Sequence, residues 1–530
     1  MAEDSARGTP EEPNPAAGLN PNAIGFLGSM AIGLNATSPA YSLAAVIGPI
    51  AAFVGVNVPG VMLASFFPML LIASAFYYLN RVDPDCGTTF SWVSRVLGPT
   101  TGWLGGWAVT MTGVMVVGSL AEVGTRFGLL AAGLDGWAAN TWVLRSLTVL
   151  VILAMSALCV RSTEASARLQ NVLTLLQVAG LLVFAAVALY RVHAGTSTLH
   201  AVHPSLSWLN PFSAGVAPLT SGLLLGVFTF WGWESAVNLT EETEGAVTAP
   251  GLAAIWSTVV LLATYVSVAF AVVAYCGPAF LGDHAGDEEA VFATLSDQVL
   301  GGWSWVVLLA VATSALASTQ TTIIPSSRTA LSMARRHALP QGFSRIHQKH
   351  RTPDVATWWV AGIAIVWYLV MHWLSDNALA DSLTALSLLV AFYYALTGLA
   401  CAVHHRHLLT TSLRDFLLLG AGPIVGAVLL AWLLVESVIT MADPANSYSG
   451  VSWFGMGPPL VIGIVLGLAG VLLMLWWRRT SRRFWTEPYP LPPALPGTLE
   501  AAGTEDSSSH RDPGGGPTTP GPSTRSGLRG

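Results

Sequence analysis

The sequence predicts an all-α integral membrane fold of about twelve transmembrane helices, with the first and sixth of them broken. Three observations predict it. Of 530 residues, 53% are hydrophobic and only 10% charged, against about a quarter charged in an ordinary soluble domain. The apolar residues fall into separate runs of roughly 20 to 30, each long enough as a helix rising ~1.5 Å per residue to cross a ~30 Å hydrocarbon core. Two runs also carry helix breakers and polar residues at mid-depth, where an unbroken lipid-facing helix has no use for them.

Spans are expected near 23–52, 58–80, 99–132, 141–160, 165–190, 213–240, 251–277, 299–333, 355–375, 380–403, 415–436 and 457–477. They form one transmembrane domain over 21–478. The flanking segments, 1–20 and 479–530, are rich in Pro, Gly, Ser and Thr and are expected to be disordered tails, because they bury too little apolar surface to offset ordering entropy. The first tail is acidic, with no positive stretch before an apolar run, which argues against a cleaved signal peptide. An even number of spans puts both tails on one side. Arginines and the lysine near span ends (Arg81, Arg95, Arg161, Arg168, Arg335, Arg336, Arg345, Lys349, Arg351, Arg406, Arg414, Arg478, Arg479, Arg482, Arg483) crowd the loops and tail on that side, and only Arg126, Arg145 and Arg191 lie toward the other. The positive-inside rule therefore places both termini in the cytoplasm and the acidic loop Asp283, Asp287, Glu288, Glu289 outside.

The first run reads AIGFLGSMAIGLNATSPAYSLAAVIGPI, with Asn35 to Pro39 near its centre. The sixth reads GLLLGVFTFWGWESAVNLTEE, with Gly232 at its centre and the carboxylate of Glu234 two residues on. Lipid cannot satisfy freed N–H and C=O groups, so both interruptions must face a cavity or other protein. They lie five spans apart, the spacing of a five-plus-five inverted repeat whose corresponding first helices are broken at a binding site. A half-helix starting near Ser38 and Pro39 presents orphan N–H groups and a positive dipole end, and one ending near Trp231 presents orphan carbonyls and a negative end. A zwitterion is complementary to that pair.

Other residues carry lesser expectations. Glu122 and Arg126, four apart, share a helix face and can form an ion pair near the outer end of the third span. The cluster His404, His405, Arg406, His407 reads as a solvated flank. The four cysteines, Cys86, Cys159, Cys276 and Cys401, are too far apart for a disulfide framework or metal-ligand spacing and read as small hydrophobes. No zinc-type histidine spacing, P-loop or nucleophilic triad is present, which argues against an enzyme and an ATP-driven pump. No cofactor, metal or nucleic-acid partner is expected.

Three strings resemble the amino acid–polyamine–organocation (APC) superfamily of permeases: GLNATSPAYSLAA at 33–45, FWGWESAVNLTEE at 230–242 and SRTALSMARRHALPQGFSRIHQKHRTPDVA at 327–356. The last carries most weight, because relatives pair an Ala-Arg near a Leu-Pro with a later His and Thr-Pro after the eighth span. The resemblance covers about residues 20–478 and implies a leucine-transporter-like fold, with the first ten spans forming the inverted halves and the last two peripheral. It implies a secondary active transporter that moves an amino acid across the plasma membrane by alternating access, coupled to a proton or exchanging solutes. A polyamine or other organic amine is the alternative substrate, and a non-transporting sensor or a channel the alternative of another class.

The resemblance also implies a site. The substrate carboxylate is expected on the N–H groups of Ala36, Thr37 and Ser38, and the ammonium on the carbonyls of Gly33, Phe230 and Trp231, beside Gly232. Phe228 matches a gating aromatic, and Glu234 an acidic residue linked to gating or proton coupling. Thr229 is expected near substrate, and Tyr393 and Tyr394 either close the cavity or pack. Gln177 stands where some proton-coupled relatives carry a lysine, so that coupling route is in doubt. Ser314, Ser318 and Thr319 of the eighth span are positioned to complete a sodium site with first-span carbonyls, or to bond back to their own helix.

Overall fold

The computed structural model describes residues 18–284, 288–374 and 377–487, with backbone only for 288–292. Within them the apolar runs form the helices α1 Phe26–Ala36, α2 Pro39–Val54, α3 Val58–Val82, α4 Thr89–Leu97, α5 Pro99–Ala131, α6 Asp135–Ala138, α7 Thr141–Arg161, α8 Thr163–His193, α9 Val216–Gly226, α10 Ala249–Asp283, α11 Glu288–Leu300, α12 Trp305–Arg335, α13 Asp354–Leu374, α14 Ala378–His404, α15 Leu413–Asp415, α16 Gly422–Ala442, α17 Pro458–Thr480 and α18 Arg483–Thr486. Eleven helical runs among the described residues are long and apolar enough to cross a membrane. The first of these, Phe26–Val82, contains both the first and second expected spans, because Gly55 (φ 59°) turns the chain between α2 and α3.

The eighth expected span begins later than 299: Gly301, at φ 56°, separates α11 from α12, which starts at Trp305. The packed domain also extends beyond the expected 21–478. Leu19 is buried with Cys86 and Leu331, and Phe484 of α18 is buried and stacks on Phe90. An aromatic anchor thus holds the first residues of the expected C-terminal tail. The rest of both tails, with Asp287 and the side chains of Glu288 and Glu289, lies outside the described residues.

Burial separates a central pair from a lipid-facing rim. The most apolar windows of α5 and α12 are 83% buried, whereas those of α7, α8, α17 and the run Leu413–Ala442 are 33% buried. Small residues let the central pair approach. A Cβ on Gly113 would lie 1.9 Å from the Ser326 hydroxyl, and one on Gly124 would lie 2.8 Å from the Leu316 side chain. Without a hydrophobic drive between helices in lipid, such close backbone packing is a main source of association.

Both expected breaks are present. α1 ends at Ala36, Ser38 takes the left-handed conformation (φ 49°, ψ 62°), and Pro39 opens α2 at the position where its missing N–H costs nothing. In the sixth span α9 tightens into a 3₁₀ turn at Val227–Phe230, Trp231 is extended, and Gly232 sits at φ 118° before a second 3₁₀ segment, Trp233–Glu242. The end of that segment is tied to the start of α1: the Ile24 N–H donates to the Glu242 carbonyl at 3.1 Å and the Glu244 N–H to the Ile24 carbonyl at 2.8 Å.

The inner end of α1 is held by buried amides. Asn35 Nδ2 donates to the Gln170 side-chain oxygen (2.5 Å) and carbonyl (2.8 Å) on α8, and Asn35 Oδ1 accepts from Thr174 (2.8 Å) and from Gln177 Nε2. Gln170 Nε2 continues to Gln320 Oε1 on α12 at 2.6 Å, and Gln320 Nε2 to the Ser166 hydroxyl at 2.8 Å. Gln177 therefore joins a neutral relay linking α1, α8 and α12.

Two predictions follow from this framework. Asn35→Leu strands the Gln170 side-chain oxygen and the Gln177 amide, and is expected to cost about 2–3 kcal/mol or more of stability, at about 1–3 kcal/mol per orphaned buried group; thermal unfolding in detergent checks it. Gly232→Ala puts a side chain at positive φ with its Cβ 2.7 Å from the Ala36 carbonyl oxygen. The same assay is expected to show a loss of at least ~1–3 kcal/mol, the usual cost of such backbone strain before the clash is added.

Candidate functional site

The two breaks meet. Besides the Ala36 carbonyl, a Cβ on Gly232 would lie 3.1 Å from the Thr37 nitrogen, so only glycine lets the sixth-span backbone approach the end of α1 this closely. Gly33 serves the same approach one turn earlier, since a Cβ there would lie 2.9 Å from the Trp233 carbonyl oxygen and from the Ser257 hydroxyl.

Partners from other helices satisfy much of the freed backbone. Ser318 Oγ of α12 donates to the Ala36 carbonyl at 2.9 Å, and Ser314 Oγ accepts from the Ala40 N–H at 3.2 Å and lies 3.2 Å from Ser38 Oγ. Tyr265 of α10 donates its hydroxyl to the Thr229 carbonyl at 2.8 Å. Ser314 and Ser318 thus face the first-span break, whereas Thr319 bonds back to the Ala315 carbonyl at 2.8 Å. The expected carboxylate cradle is partly engaged within its own turn: the Ser38 N–H donates to the Asn35 carbonyl at 3.0 Å.

Glu234, 5% exposed, is the centre of the sixth-span half of the site. Tyr393 donates its hydroxyl to one carboxylate oxygen at 2.5 Å; Tyr394 at 2.5 Å and the Gly232 N–H at 3.1 Å donate to the other. Trp231 Nε1 donates to the Tyr393 hydroxyl at 2.5 Å, which orients the tyrosine proton toward Glu234. Trp233 stacks on Tyr394 at 5.4 Å, locking that ring in turn. A protonated Glu234 would have to reverse or release at least one of these hydrogen bonds, because a carboxyl O–H donates where the carboxylate accepts.

Beside Glu234 lies a cavity of about 10 Å³, roughly the space one water centre occupies. Trp231, Gly232, Glu234, Ser235 and Tyr393 line it with Val109 and Gly113 of α5 and Thr322, Pro325 and Ser326 of α12. Of the expected site residues, the structure brings Trp231, Gly232 and Glu234 to this cavity and sets Ala36 and Thr37 against Gly232. It does not bring Gly33, Ser38, Phe228 or Phe230 to the cavity wall. Phe230 is fully buried against Tyr265, 4.9 Å between ring centroids, and Phe228 packs at the edge of the core. The Thr229 hydroxyl, expected near substrate, donates instead to the Gly226 carbonyl at 2.7 Å, three residues back on its own chain.

Sequence reasoning missed several residues and left others undecided. Gly113, Thr322 and Ser326 give no signal beyond being small or polar within apolar runs. The amides Gln170 and Gln320 could have been found, since an amide inside a membrane span demands a partner. Tyr393 and Tyr394 are resolved from packing aromatics into Glu234 donors. Glu122 does reach Arg126, but at 3.7 Å, and its short contact is with His372 Nε2 of α13 at 2.6 Å. His405, expected in solvent, is buried and bonds the Cys401 carbonyl at 3.0 Å, while Arg406 and His407 are exposed. All four cysteines are buried and free.

Comparisons with known proteins bear on this geometry. Residues 23–494 match the family described as amino acid permease. The low-affinity putrescine importer PlaP of Escherichia coli K12 is 24% identical over 411 residues, 76% of this chain and 84% of its own. The Asc-type amino acid transporter 1 of Homo sapiens is 25% identical, over 76% of this chain and 72% of its own. The branched-chain amino acid permease BcaP of Lactococcus lactis is 24% identical, over 58% and 68% respectively. In fold, the chain is similar to the Eremococcus coleocola manganese transporter, with a TM-score of 0.53 at 15% identity over 87% of this chain and 95% of that one. With two broken spans meeting at a buried carboxylate, and with the family match running nearly from end to end, this chain belongs to the amino acid permease family of multi-pass membrane transporters.

Proposed function

We propose that this chain carries an amino acid across the plasma membrane by alternating access, with both termini in the cytoplasm and a proton coupled through Glu234. The observation that carries the reading is the meeting of the breaks, with Glu234 held by Tyr393 and Tyr394 at its edge. Backbone N–H groups around Ala36 to Ser38 bind the substrate carboxylate once the Ser38–Asn35 turn relaxes, and carbonyls of Gly33, Phe230 and Trp231 bind the ammonium. At about 10 Å³ the cavity must widen to admit substrate. Phe228 serves as a gating aromatic above it.

Coupling follows from the hydrogen-bond inventory. Protonation of Glu234 reverses or releases one of the hydrogen bonds from Tyr393, Tyr394 and the Gly232 N–H, and so ties proton occupancy to the wall of the cavity. The neutral relay through Gln177 supplies no second titrating group on the fifth span. An organic amine is the second reading, since PlaP is named for putrescine. Glu234 is the one carboxylate among the residues lining the cavity. One carboxylate suits a single ammonium, whereas a diamine would seek a second at its far end, so the amino acid is preferred. The relatives' names favour a carrier over a sensor or channel.

Saturable uptake with counterflow in proteoliposomes, screened over amino acids and amines, is the expected result; flux without saturation would indicate a channel, and binding without flux a sensor. Glu234→Gln is expected to flatten the pH dependence of uptake while thermal-shift binding of the same solute persists. An unaltered pH profile would remove Glu234 as the coupling group. Tyr393→Phe deletes one charge-assisted hydrogen bond, worth about 1.5 kcal/mol or more, and is expected to slow uptake by about tenfold with the pH dependence retained.

A further inference from the structure

Below the cavity the sixth span and α12 run side by side toward the end that bears the N-terminus, and their seam is closed by charge. Glu242, the last residue of the second 3₁₀ segment, is 0% exposed in its side chain, and Arg328 of α12 is 1% exposed. Arg328 Nε and Nη2 donate to one Glu242 oxygen at 3.1 and 3.0 Å, and Nη2 reaches the other at 3.3 Å. Thr163, the first residue of α8, donates its hydroxyl to Glu242 at 2.7 Å. Further out, Arg335 pairs with Glu241 at 2.9 Å with side chains 32% and 24% exposed, so the seam runs from a dry pair to a wetted one. Ser326, which lines the cavity, lies two residues before Arg328.

We infer that the Arg328–Glu242 pair is the latch of the gate on the N-terminal side, which must part before solute can leave the cavity along this seam. The inference rests on the transporter reading above. Glu242 goes with the sixth span and α1, because its backbone is paired with Ile24 at the start of α1, while Arg328 and Thr163 stand on α12 and α8, so the pair bridges the two sides of the seam. A buried ion pair suits a latch for a physical reason. Its mutual attraction in the closed form is opposed by desolvation, and both charges recover water when the seam opens, so the two forms stay close in free energy. An apolar contact of the same size would favour closure alone, since opening would expose it to water.

That difference gives variants of opposite sign. The test uses the full chain in lipid nanodiscs, with Cys86, Cys159, Cys276 and Cys401 replaced by alanine and Ser326→Cys as reporter. The rate of reaction with a membrane-impermeant thiol reagent is the readout. Glu242→Gln leaves the Arg328 charge unpaired when closed and hydrated when open, and is expected to raise the rate at least fivefold. Exchange of the charges, Glu242→Arg with Arg328→Glu, is expected to bring it back toward the parent. The apolar pair Glu242→Leu with Arg328→Met fills the seam without charge, so it tests the latch even where Glu242→Gln fails to fold; it is expected to slow labelling below the parent. A rate unchanged by Glu242→Gln, or an apolar pair that labels faster than the parent, would overturn the latch. Labelling needs no solute, so a wild-type protein without flux would count against the transporter reading, whereas unchanged labelling beside saturable flux would remove the latch alone.

Discussion

Peptide groups released from a helix inside hydrocarbon must find partners within the protein, and the arrangement of this molecule depends on that requirement. At the first break the Ala36 carbonyl is met by Ser318 and the Ala40 N–H by Ser314, both from α12. At the sixth, the Thr229 carbonyl is met by Tyr265 from α10 and the Gly232 N–H by Glu234. Each partner comes from a defined place on a defined element, so the breaks dictate where α10 and α12 stand. A break that binds a guest has to exchange some of these internal partners for the guest, which makes the same hydrogen bonds both the scaffold of the site and the terms of its opening.

Charge is distributed with equal economy. The inner end of α1 is fixed by neutral amides, Asn35, Gln170, Gln177 and Gln320, whose bonds do not change with proton concentration. The carboxylate at the cavity is confined to Glu234, and its partners are hydroxyl and amide donors that respond directly to its protonation. Nearer the N-terminal side, carboxylates meet guanidinium groups: Glu242 with Arg328, Glu241 with Arg335, and Asp83 with Arg95 at 2.6 Å. Burial, with the neighbouring Asp85 adding repulsion, pushes the Asp83 carboxyl up to about 6 despite Arg95. The three zones are a neutral amide end, a carboxylate centre and a charged seam.

Packing supports that division. The central pair α5 and α12 approaches through small residues and is buried along most of its length, whereas α7, α8, α17 and the run containing α16 spend most of their surface on lipid. The cavity wall contributed by this pair (Val109, Gly113, Thr322, Pro325 and Ser326) is therefore its most rigid part. The sixth-span wall, built of 3₁₀ turns around Gly232, has weaker backbone bonding and is the part suited to move.

The sequence by itself determined the membrane class, the spans and the two interruptions, because hydrocarbon thickness imposes run length and because Pro39 and Gly232 carry their backbone preferences wherever they stand. It also singled out Glu234, since a carboxylate within an apolar run has to be accounted for. Only the tertiary structure decided which partners these residues take. Tyr393 and Tyr394 lie some 160 residues from Glu234, Arg328 lies 86 from Glu242, and Gln320 lies 150 from Gln170. Contacts across such separations leave no periodicity in the chain. For the same reason the close approach of Gly33 to the Trp233 carbonyl could not be read from the chain, and the span boundary expected at 299 gave way to the turn at Gly301. Local preference settles where a helix stops, and only the packing of the whole settles what fills the gap it leaves.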